Sequence, residues 1–177
     1  MIDDRNRRLL AILTAAPVVP VLTIEDRALA VMTIAAAYGQ RLGTLTVLAY
    51  LAEGAVGIPV FQGTPPAIAG LAYLIGPTGG FLAGFVLLAL IVGYAADRGW
   101  DRSPLRLFSA MIVADVVVFA LGFVWLAWFA HLSSGGTGVG AANAWAGGVA
   151  KFVLGDLLKI ALASALVPAV WGLVGKR

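Results

Sequence analysis

The chain has 177 residues, of which 61% are hydrophobic and 12% charged, and its formal net charge is +3. Soluble domains carry about 45–50% apolar and roughly 25% charged residues, so this composition excludes a water-soluble core. Cysteine is absent, which excludes disulfides, thiol catalysis and zinc–thiolate sites. The length fits a single transmembrane domain over residues 1–177. The positive charges fall in short loops, so they predict topology and do not form a nucleic-acid patch.

Apolar segments follow one another along the chain, at 8–22, 27–38, 42–57, 79–96, 106–130 and 149–174. The last three are long enough to cross a hydrocarbon core of roughly 30 Å. The first three are short, because Pro17, Pro20 and residues 39–41 interrupt them, and they can also be read as two longer kinked spans. A retained first helix fits better than a cleaved signal peptide, because no soluble sequence follows it.

The distribution of basic residues favours six spans. On that interpretation one side of the membrane receives most of them: Arg5, Arg7, Arg8, Arg41, Arg98, Arg102, Arg106, Lys176 and Arg177. The opposite loops hold Arg27, with Lys151 at a helix mouth. Because Lys and Arg stay on the cytoplasmic side, the sequence predicts an all-α membrane protein with six transmembrane helices and both termini cytoplasmic.

The segment from Gly57 to Gly80 contains no charged residue but several prolines, at 59, 65, 66 and 77. Non-helical backbone at membrane depth is tolerated where protein buries it or where it borders a cavity. The sequence therefore predicts that this outer segment dips toward the bundle and lines a cavity.

Four ionisable residues lie inside the predicted spans: Glu53, Asp115, Asp156 and Lys159. A charge at the bilayer centre costs about 2.5–3.5 kcal/mol on insertion scales, so such residues face a partner or a wet cavity. Asp156 and Lys159 are three residues apart and share one helical face. They can neutralise each other as a structural pair, or form the polar end of a ligand pocket. Glu53 and Asp115 can equally well bond a neighbouring helix.

Two glycine or alanine patterns have a functional and a structural interpretation. The stretch Gly76–Gly80 precedes a predicted helix and could hold an anion, but a tight turn with Thr78 as N-cap is favoured. Ala11 and Ala15 form a small-xxx-small pattern that allows close helix packing within the chain or with a partner. No G-K-[ST] follows a glycine-rich loop, so the sequence contains no visible ATP site.

Three blocks, in this order, resemble the BioY family, the biotin-specific S-components of energy-coupling factor transporters. They are YLAEGAVGIPVF at 50–61, GPTGGFLAGF at 76–85 and GDLLK at 155–159. The resemblance spans roughly residues 38–170. It implies a six-helix membrane subunit that binds biotin from the outer side of the bacterial cytoplasmic membrane.

The resemblance also implies roles for individual residues. Asp156 and Lys159 would contact the biotin head group, and the glycine block would lie near the pocket. Phe81 would lie beside the ligand, where relatives often carry Tyr. The predicted substrate-binding residues are Glu53, Phe61, Tyr73, Thr78, Gly79, Gly80, Phe81, Asp156 and Lys159.

Partners follow from the same resemblance. A transmembrane coupling subunit would dock on the first helix, where Ala11 and Ala15 fit by position. ATPase subunits would hydrolyse ATP, so this chain is expected to bind no cofactor of its own.

The chemistry of biotin agrees with these assignments. Its ureido group has two N–H donors and one carbonyl, and its body is apolar. Asp156 can accept from the ureido N–H groups, whereas Lys159 can serve either the ureido oxygen or the carboxylate. The aromatic rings of Phe61, Tyr73 and Phe81 can cover the bicyclic ring.

Two alternatives differ from a binding subunit. An intramembrane aspartyl protease would use Asp115 and Asp156 with a shared proton. The sequence 153–156 departs from the Gly-x-Gly-Asp pattern of such proteases, and Lys159 favours an ionised Asp156. A structural subunit that binds no ligand would tolerate changes at Asp156 and Lys159 apart from effects on stability. We therefore predict no catalytic residue and no metal site.

Overall fold

The computed structural model describes residues 27–61 and 70–174, and these residues are predominantly helical. The helices are α1 (Arg27–Ala55), α2 (Leu71–Leu74), α3 (Gly79–Asp97), α4 (Pro104–Val124), α5 (Ala141–Ala144) and α6 (Val153–Val174). A 3₁₀ turn at Trp100–Arg102 joins α3 to α4. Two π-helical turns, Trp125–Phe129 and Trp145–Val149, extend α4 and α5. Within the described ranges the β-structure is one isolated bridge between His131 and Thr137.

Helix α1 folds back on itself at Gly39, so its two halves run in opposite directions. Gly39 has φ 77° and ψ −177°, a left-handed conformation that suits a residue without Cβ. A Cβ on Gly43 would lie 2.9 Å from Cα of Ala35. Eight residues of continuous helix would separate these positions by roughly 12 Å. The segments predicted at 27–38 and 42–57 are therefore two separate helices, and the alternative of one longer kinked span is wrong here.

The fold-back at Gly39 is held by the end of α3. The Asp97 carboxylate accepts a hydrogen bond from the backbone N–H of Gln40 at 3.0 Å, where the second half of α1 begins. A side chain at Gly39 would collide with that carboxylate. Asp97 thus caps a helix start from outside the helix, in the way that an N-cap side chain does from within.

Among the described residues, three helices are long and apolar enough to cross a membrane: Gly79–Asp97, Pro104–Phe129 and Ala141–Leu173. They correspond to the predicted segments 79–96, 106–130 and 149–174, although the last begins earlier and is interrupted by a turn at 150–152. The segment 8–22 and the terminal basic residues lie outside the described residues. The number of six spans and the placement of the termini therefore stay predictions.

The bundle core forms where α1, α3, α4 and α6 meet. Met32, Leu88, Met111 and Ile160, one from each of these helices, are fully buried there. The opposite faces remain apolar, as Leu154 and Leu158 of α6 illustrate with 71% and 66% exposure. Helices that are apolar on all sides are typical of a membrane environment. The fold-back of α1 and the α3–α4 connection lie at one end of this bundle.

That end carries four of the seven described basic residues, at positions 41, 98, 102 and 106. Arg98 lies over the Tyr94 ring at 3.7 Å, and Arg102 lies 5.4 Å from the centre of the Trp171 ring. Asp101 is buried beside them, at 4% exposure. The opposite end, where α1, α3 and α6 begin, contains the cavity described next.

Candidate ligand-binding site

A cavity of about 330 Å³ opens between the helices at the end where α1, α3 and α6 begin. Its size is at the lower limit of the range of about 300–1,000 Å³ that is typical of small-molecule sites. Its wall is mostly apolar and aromatic, and four charged side chains of the described residues line it: Arg27, Asp115, Asp156 and Lys159. An apolar cleft with a few polar groups is the general form of a ligand pocket.

Asp156 and Lys159 lie together at this cavity, as their spacing predicted. Nζ of Lys159 donates a hydrogen bond to Oδ1 of Asp156 at 3.1 Å. Asp156 lies in the first turn of α6, directly after the break at 150–152, and its backbone N–H donates to the carbonyl of Phe152 at 2.8 Å. The break ends the preceding helix and begins a new one, so that the first turn of α6 faces the cavity.

Asp115 reaches the same cavity from the middle of α4. It is buried, at 8% exposure, as is Asp156. Its carboxyl group is close enough to Asp156 and Lys159 to interact electrostatically with both. Two carboxyl groups and one ammonium group therefore form the polar cluster of the cavity. The sequence marked Asp115 as an ionisable residue inside a span but did not indicate which neighbour it faced.

Arg27, the first residue of α1, is the second charged residue of the cavity wall that was not among the predicted substrate-binding residues. It is half-buried, and its guanidinium group is close enough to the phenol group of Tyr50 to interact with it electrostatically. From the sequence it was assigned to an outer loop. Its position beside a cavity became visible only after the fold-back of α1 brought Arg27 and Tyr50 to the same end of the bundle.

Aromatic residues form much of the wall. Phe81 packs over Gly122, where a Cβ would collide with the Phe81 ring. Phe85, one turn deeper on α3, and Phe119 of α4 also line the cavity. The absence of a side chain at Gly122 lets α4 approach Phe81, so this glycine sets the position of an aromatic wall.

The Gly76–Gly80 stretch forms a tight turn, the favoured one of its two interpretations. The N–H of Gly79 donates to the carbonyl of Gly76 at 3.1 Å. The indole N–H of Trp125 donates to the same carbonyl at 2.8 Å and ties the turn to the end of α4. Thr78 precedes α3, but its hydroxyl makes no capping hydrogen bond.

This turn contributes to the cavity unevenly. Pro77 and Thr78 line it, together with Tyr73 from the same outer segment. Gly79 and Gly80 are buried instead against the carbonyl of Leu74 and the side chain of Trp125. Their predicted contact with a ligand stays a prediction, and their observed role is close packing behind the cavity wall.

Phe61 and Glu53 lie beyond the wall. Phe61 is 2% exposed and stacks on Tyr73, with ring centres 4.7 Å apart and an interplanar angle of 21°. Tyr50 meets the Phe61 ring edge-on at 5.5 Å. Glu53 is exposed and does not line the cavity. Phe61 therefore supports Tyr73 from behind, and nothing in the geometry brings Glu53 to the site. Ala11 and Ala15 lie outside the described residues.

Comparison with known proteins identifies the family. The family model for the BioY family matches residues 8–176. The biotin transporter BioY of Rhizobium etli is 34% identical over 83% of this chain and 76% of its own length. That of Thermotoga maritima is 33% identical over 72% of this chain and 68% of its own length.

A solved structure has the same fold. It is the S-component for biotin from an ECF-type ABC transporter, which matches with a TM-score of 0.68 and 21% sequence identity. The match covers 82% of this chain and 73% of the solved chain. The matched sequence includes α1, α3, α4 and α6, which together form the cavity. The chain belongs to the BioY family.

Proposed function

We propose that this chain is the membrane-embedded, biotin-binding S-component of an ECF-type uptake transporter. One observation carries the proposal: the Asp156–Lys159 pair of the GDLLK block lies at the polar cluster of a cavity of about 330 Å³. The relatives in Rhizobium etli and Thermotoga maritima are named biotin transporters. A transporter needs a site that holds its substrate within the membrane, and this cavity has the form of one.

The chemistry of the polar cluster matches the ureido group of biotin. The carboxylate of Asp156 accepts hydrogen bonds from ureido N–H groups, and the ammonium of Lys159 donates to the ureido oxygen or to the carboxylate of the ligand. Phe81 and Tyr73 lie on the wall that would contact the apolar bicyclic ring. Hydrogen bonds from the ligand would replace part of the hydrogen bonding between Asp156 and Lys159, so that both buried charges keep partners.

Delivery requires partner subunits. The proposed topology has six transmembrane helices and cytoplasmic termini, with the cavity open to the outside of the bacterial cytoplasmic membrane. The basic residues 41, 98, 102 and 106 support this orientation, because they lie at the end opposite the cavity. A transmembrane coupling subunit would dock at Ala11 and Ala15, and ATPase subunits would supply the energy.

An enzymatic function has no support in these findings. The relatives are transporters, and the ammonium of Lys159 lies 3.1 Å from the Asp156 carboxylate. That contact engages the Asp156 carboxyl group in an ion pair, whereas an aspartyl protease needs two carboxyl groups that share a proton. The protein acts by binding and movement of a ligand.

Thermal-shift screening of the purified full chain in detergent tests the substrate. Biotin should raise the unfolding midpoint in a concentration-dependent way, because a ligand that binds the folded state stabilises it. Riboflavin and thiamine should leave the midpoint unchanged. A shift with another vitamin and none with biotin would contradict the substrate assignment.

Uptake by membrane vesicles tests the energy source. Vesicles that contain the chain, the coupling subunit and the ATPases should accumulate labelled biotin when ATP is supplied on the side of the membrane where the ATPases lie. Vesicles that contain the chain alone should bind biotin without accumulating it. ATP-independent accumulation by the chain alone would contradict the proposed dependence on ATPases.

A further inference from the structure

The four charged residues of the cavity are separated along its length. Asp115 lines the cavity together with Leu126, which lies eleven residues further along the same helical run, or roughly 16 Å at the rise of an α-helix. Leu126 is near the end of α4 at the mouth, so Asp115 lies deep. Arg27 begins α1 at the mouth, on the same end of the bundle as Thr78 and Tyr73.

The deep end is unfavourable for a ligand carboxylate. Asp115 lies there, and the hydrogen-bonded pair Asp156–Lys159 is close enough to Asp115 to interact with it electrostatically. Asp156 also lies eight residues beyond Gly148, which packs against Leu126 at the mouth. A third carboxyl group there would meet two like charges around one ammonium, in surroundings where burial weakens solvent screening. A neutral head group that donates N–H bonds avoids this repulsion.

The mouth offers the opposite environment. Arg27 is half-buried and close enough to the phenol group of Tyr50 to interact with it electrostatically. Tyr73 lines the same end of the cavity, and no carboxylate of the described residues lines it there. A guanidinium group is planar and always charged, and it binds a carboxylate through two parallel hydrogen bonds. The ureido group and the carboxylate of biotin are at opposite ends of the molecule, so both ends can be bound at once.

We infer that Arg27 binds the carboxylate of the ligand at the cavity mouth and makes the site selective for the free acid over its esters and amides. The inference rests on the proposed function, since it assumes a ligand with a ureido head in the deep end. It also fixes the orientation of Lys159, which then serves the ureido oxygen.

The test compares biotin with biotin methyl ester, which keeps the ureido group and removes the negative charge. Affinities are measured by titration calorimetry on the full chain in detergent at 0.15 M salt, where long-range attraction between exposed charges is screened. The wild type should prefer biotin by about 10- to 100-fold, the loss typical of one charge-assisted hydrogen-bonding group. Arg27→Gln should bind biotin and its methyl ester about equally.

Three further variants sharpen the comparison. Lys151→Gln removes a positive charge from an exposed residue that does not line the cavity and should keep the full preference. Arg27→Lys keeps the charge but loses the planar fork, so its preference should be intermediate. Lys159→Gln should weaken both ligands and keep the ratio between them.

The outcomes separate the inference from the function on which it rests. Binding of the methyl ester by Arg27→Gln shows that this variant is folded; if it does not fold, the preference of Arg27→Lys decides. If Arg27→Gln still prefers biotin over its methyl ester, the inference is overturned although biotin binding remains. The same holds if that preference disappears in Lys159→Gln instead. A wild-type chain that binds neither compound contradicts the proposed function, and the inference with it.

Discussion

Nζ of Lys159 lies 3.1 Å from Oδ1 of Asp156, one helical turn earlier on α6, and the pair faces a cavity bordered also by α1, α2, α3 and α4. The side chains of Lys159 and Asp156 are 25% and 12% exposed. Removing both groups from water costs free energy that offsets their electrostatic attraction. The pair therefore adds little to the free energy of unfolding, or lowers it. Its position at a cavity is better explained by a role in ligand binding.

Replacement of both members of this pair separates binding from stability. Asp156→Leu with Lys159→Leu should leave the unfolding free energy unchanged or raise it by about 1–4 kcal/mol, because apolar groups replace a sheltered ion pair. Biotin affinity should fall more than about 100-fold, since two charge-assisted partners are lost. Thermal unfolding and calorimetric titration of the same preparation measure both quantities.

The single variants serve as the controls for that change. Asp156→Leu alone leaves the ammonium without its partner and should destabilise the fold, by up to about 3–5 kcal/mol for a fully buried pair and less here. If the double variant still binds biotin with wild-type affinity, the pair is structural and the site lies elsewhere.

Asp115→Asn should weaken biotin binding without loss of stability. The substitution keeps the shape of the side chain but removes a carboxyl group that interacts with Asp156 and Lys159 at the deep end. We expect a decrease in affinity of about 10- to 20-fold, near the lower end of the range for one hydrogen bond to a charged group. The unfolding midpoint should stay level or rise, because a like charge near Asp156 is removed. Wild-type affinity would exclude Asp115 from ligand contact.

Trp125→Phe should loosen the turn that carries Pro77 and Thr78. The substitution removes the 2.8 Å hydrogen bond from the indole N–H to the Gly76 carbonyl. We expect a loss of about 0.5–1.5 kcal/mol in unfolding free energy and a moderate fall in biotin affinity. Trp128→Phe is the matched control, because Trp128 is 52% exposed and its ring packs against Phe123 without lining the cavity. Equal effects of the two variants would contradict the role of the Trp125 bond.

Gly39→Ala should destabilise the fold-back of α1. The left-handed backbone at φ 77° costs a residue with Cβ about 1–3 kcal/mol, and the new methyl group would also collide with Asp97. The measurement is the thermal unfolding midpoint in detergent. Gly172→Ala provides the control, since this α6 position has open space and a helical backbone, where Ala is favoured over Gly by roughly 0.5–1 kcal/mol. A midpoint for Gly39→Ala equal to that of the wild type would show that the turn can adopt another conformation.

Much of the fold follows from local sequence patterns. The apolar segments at 79–96 and 106–130 predict helices that the structure contains at Gly79–Asp97 and Pro104–Phe129. The interruption at 39–41 predicts a break, but not its geometry. Only the close approach of Gly43 to Ala35 shows that the chain reverses there. The predicted segment 149–174 begins later than the helical run, which starts at Ala141. Gly147 and Gly148 make the preceding sequence less apolar, but they do not end that run.

The candidate site was predictable where its residues are neighbours in the sequence. Covalent spacing of three residues places Asp156 and Lys159 on one face of any α-helix, so the pair needed no tertiary information. Residues on different helices have no such constraint. Asp115 and Arg27 reach the cavity because α4 and α1 pack beside α6 with particular rotations about their axes. In helices that are apolar on all sides, no polar face reveals that rotation.

The sequence by itself therefore determined the membrane character, the main helices and the Asp156–Lys159 pair, because composition and short-range periodicity fix these. Only the tertiary structure decided that α1 folds back at Gly39, that Asp115 joins the pair at the deep end, and that Arg27 lies at the mouth. The physical reason is that these features depend on which helix faces meet. Close packing around small residues decides those contacts, and it leaves no periodic signal in an apolar sequence.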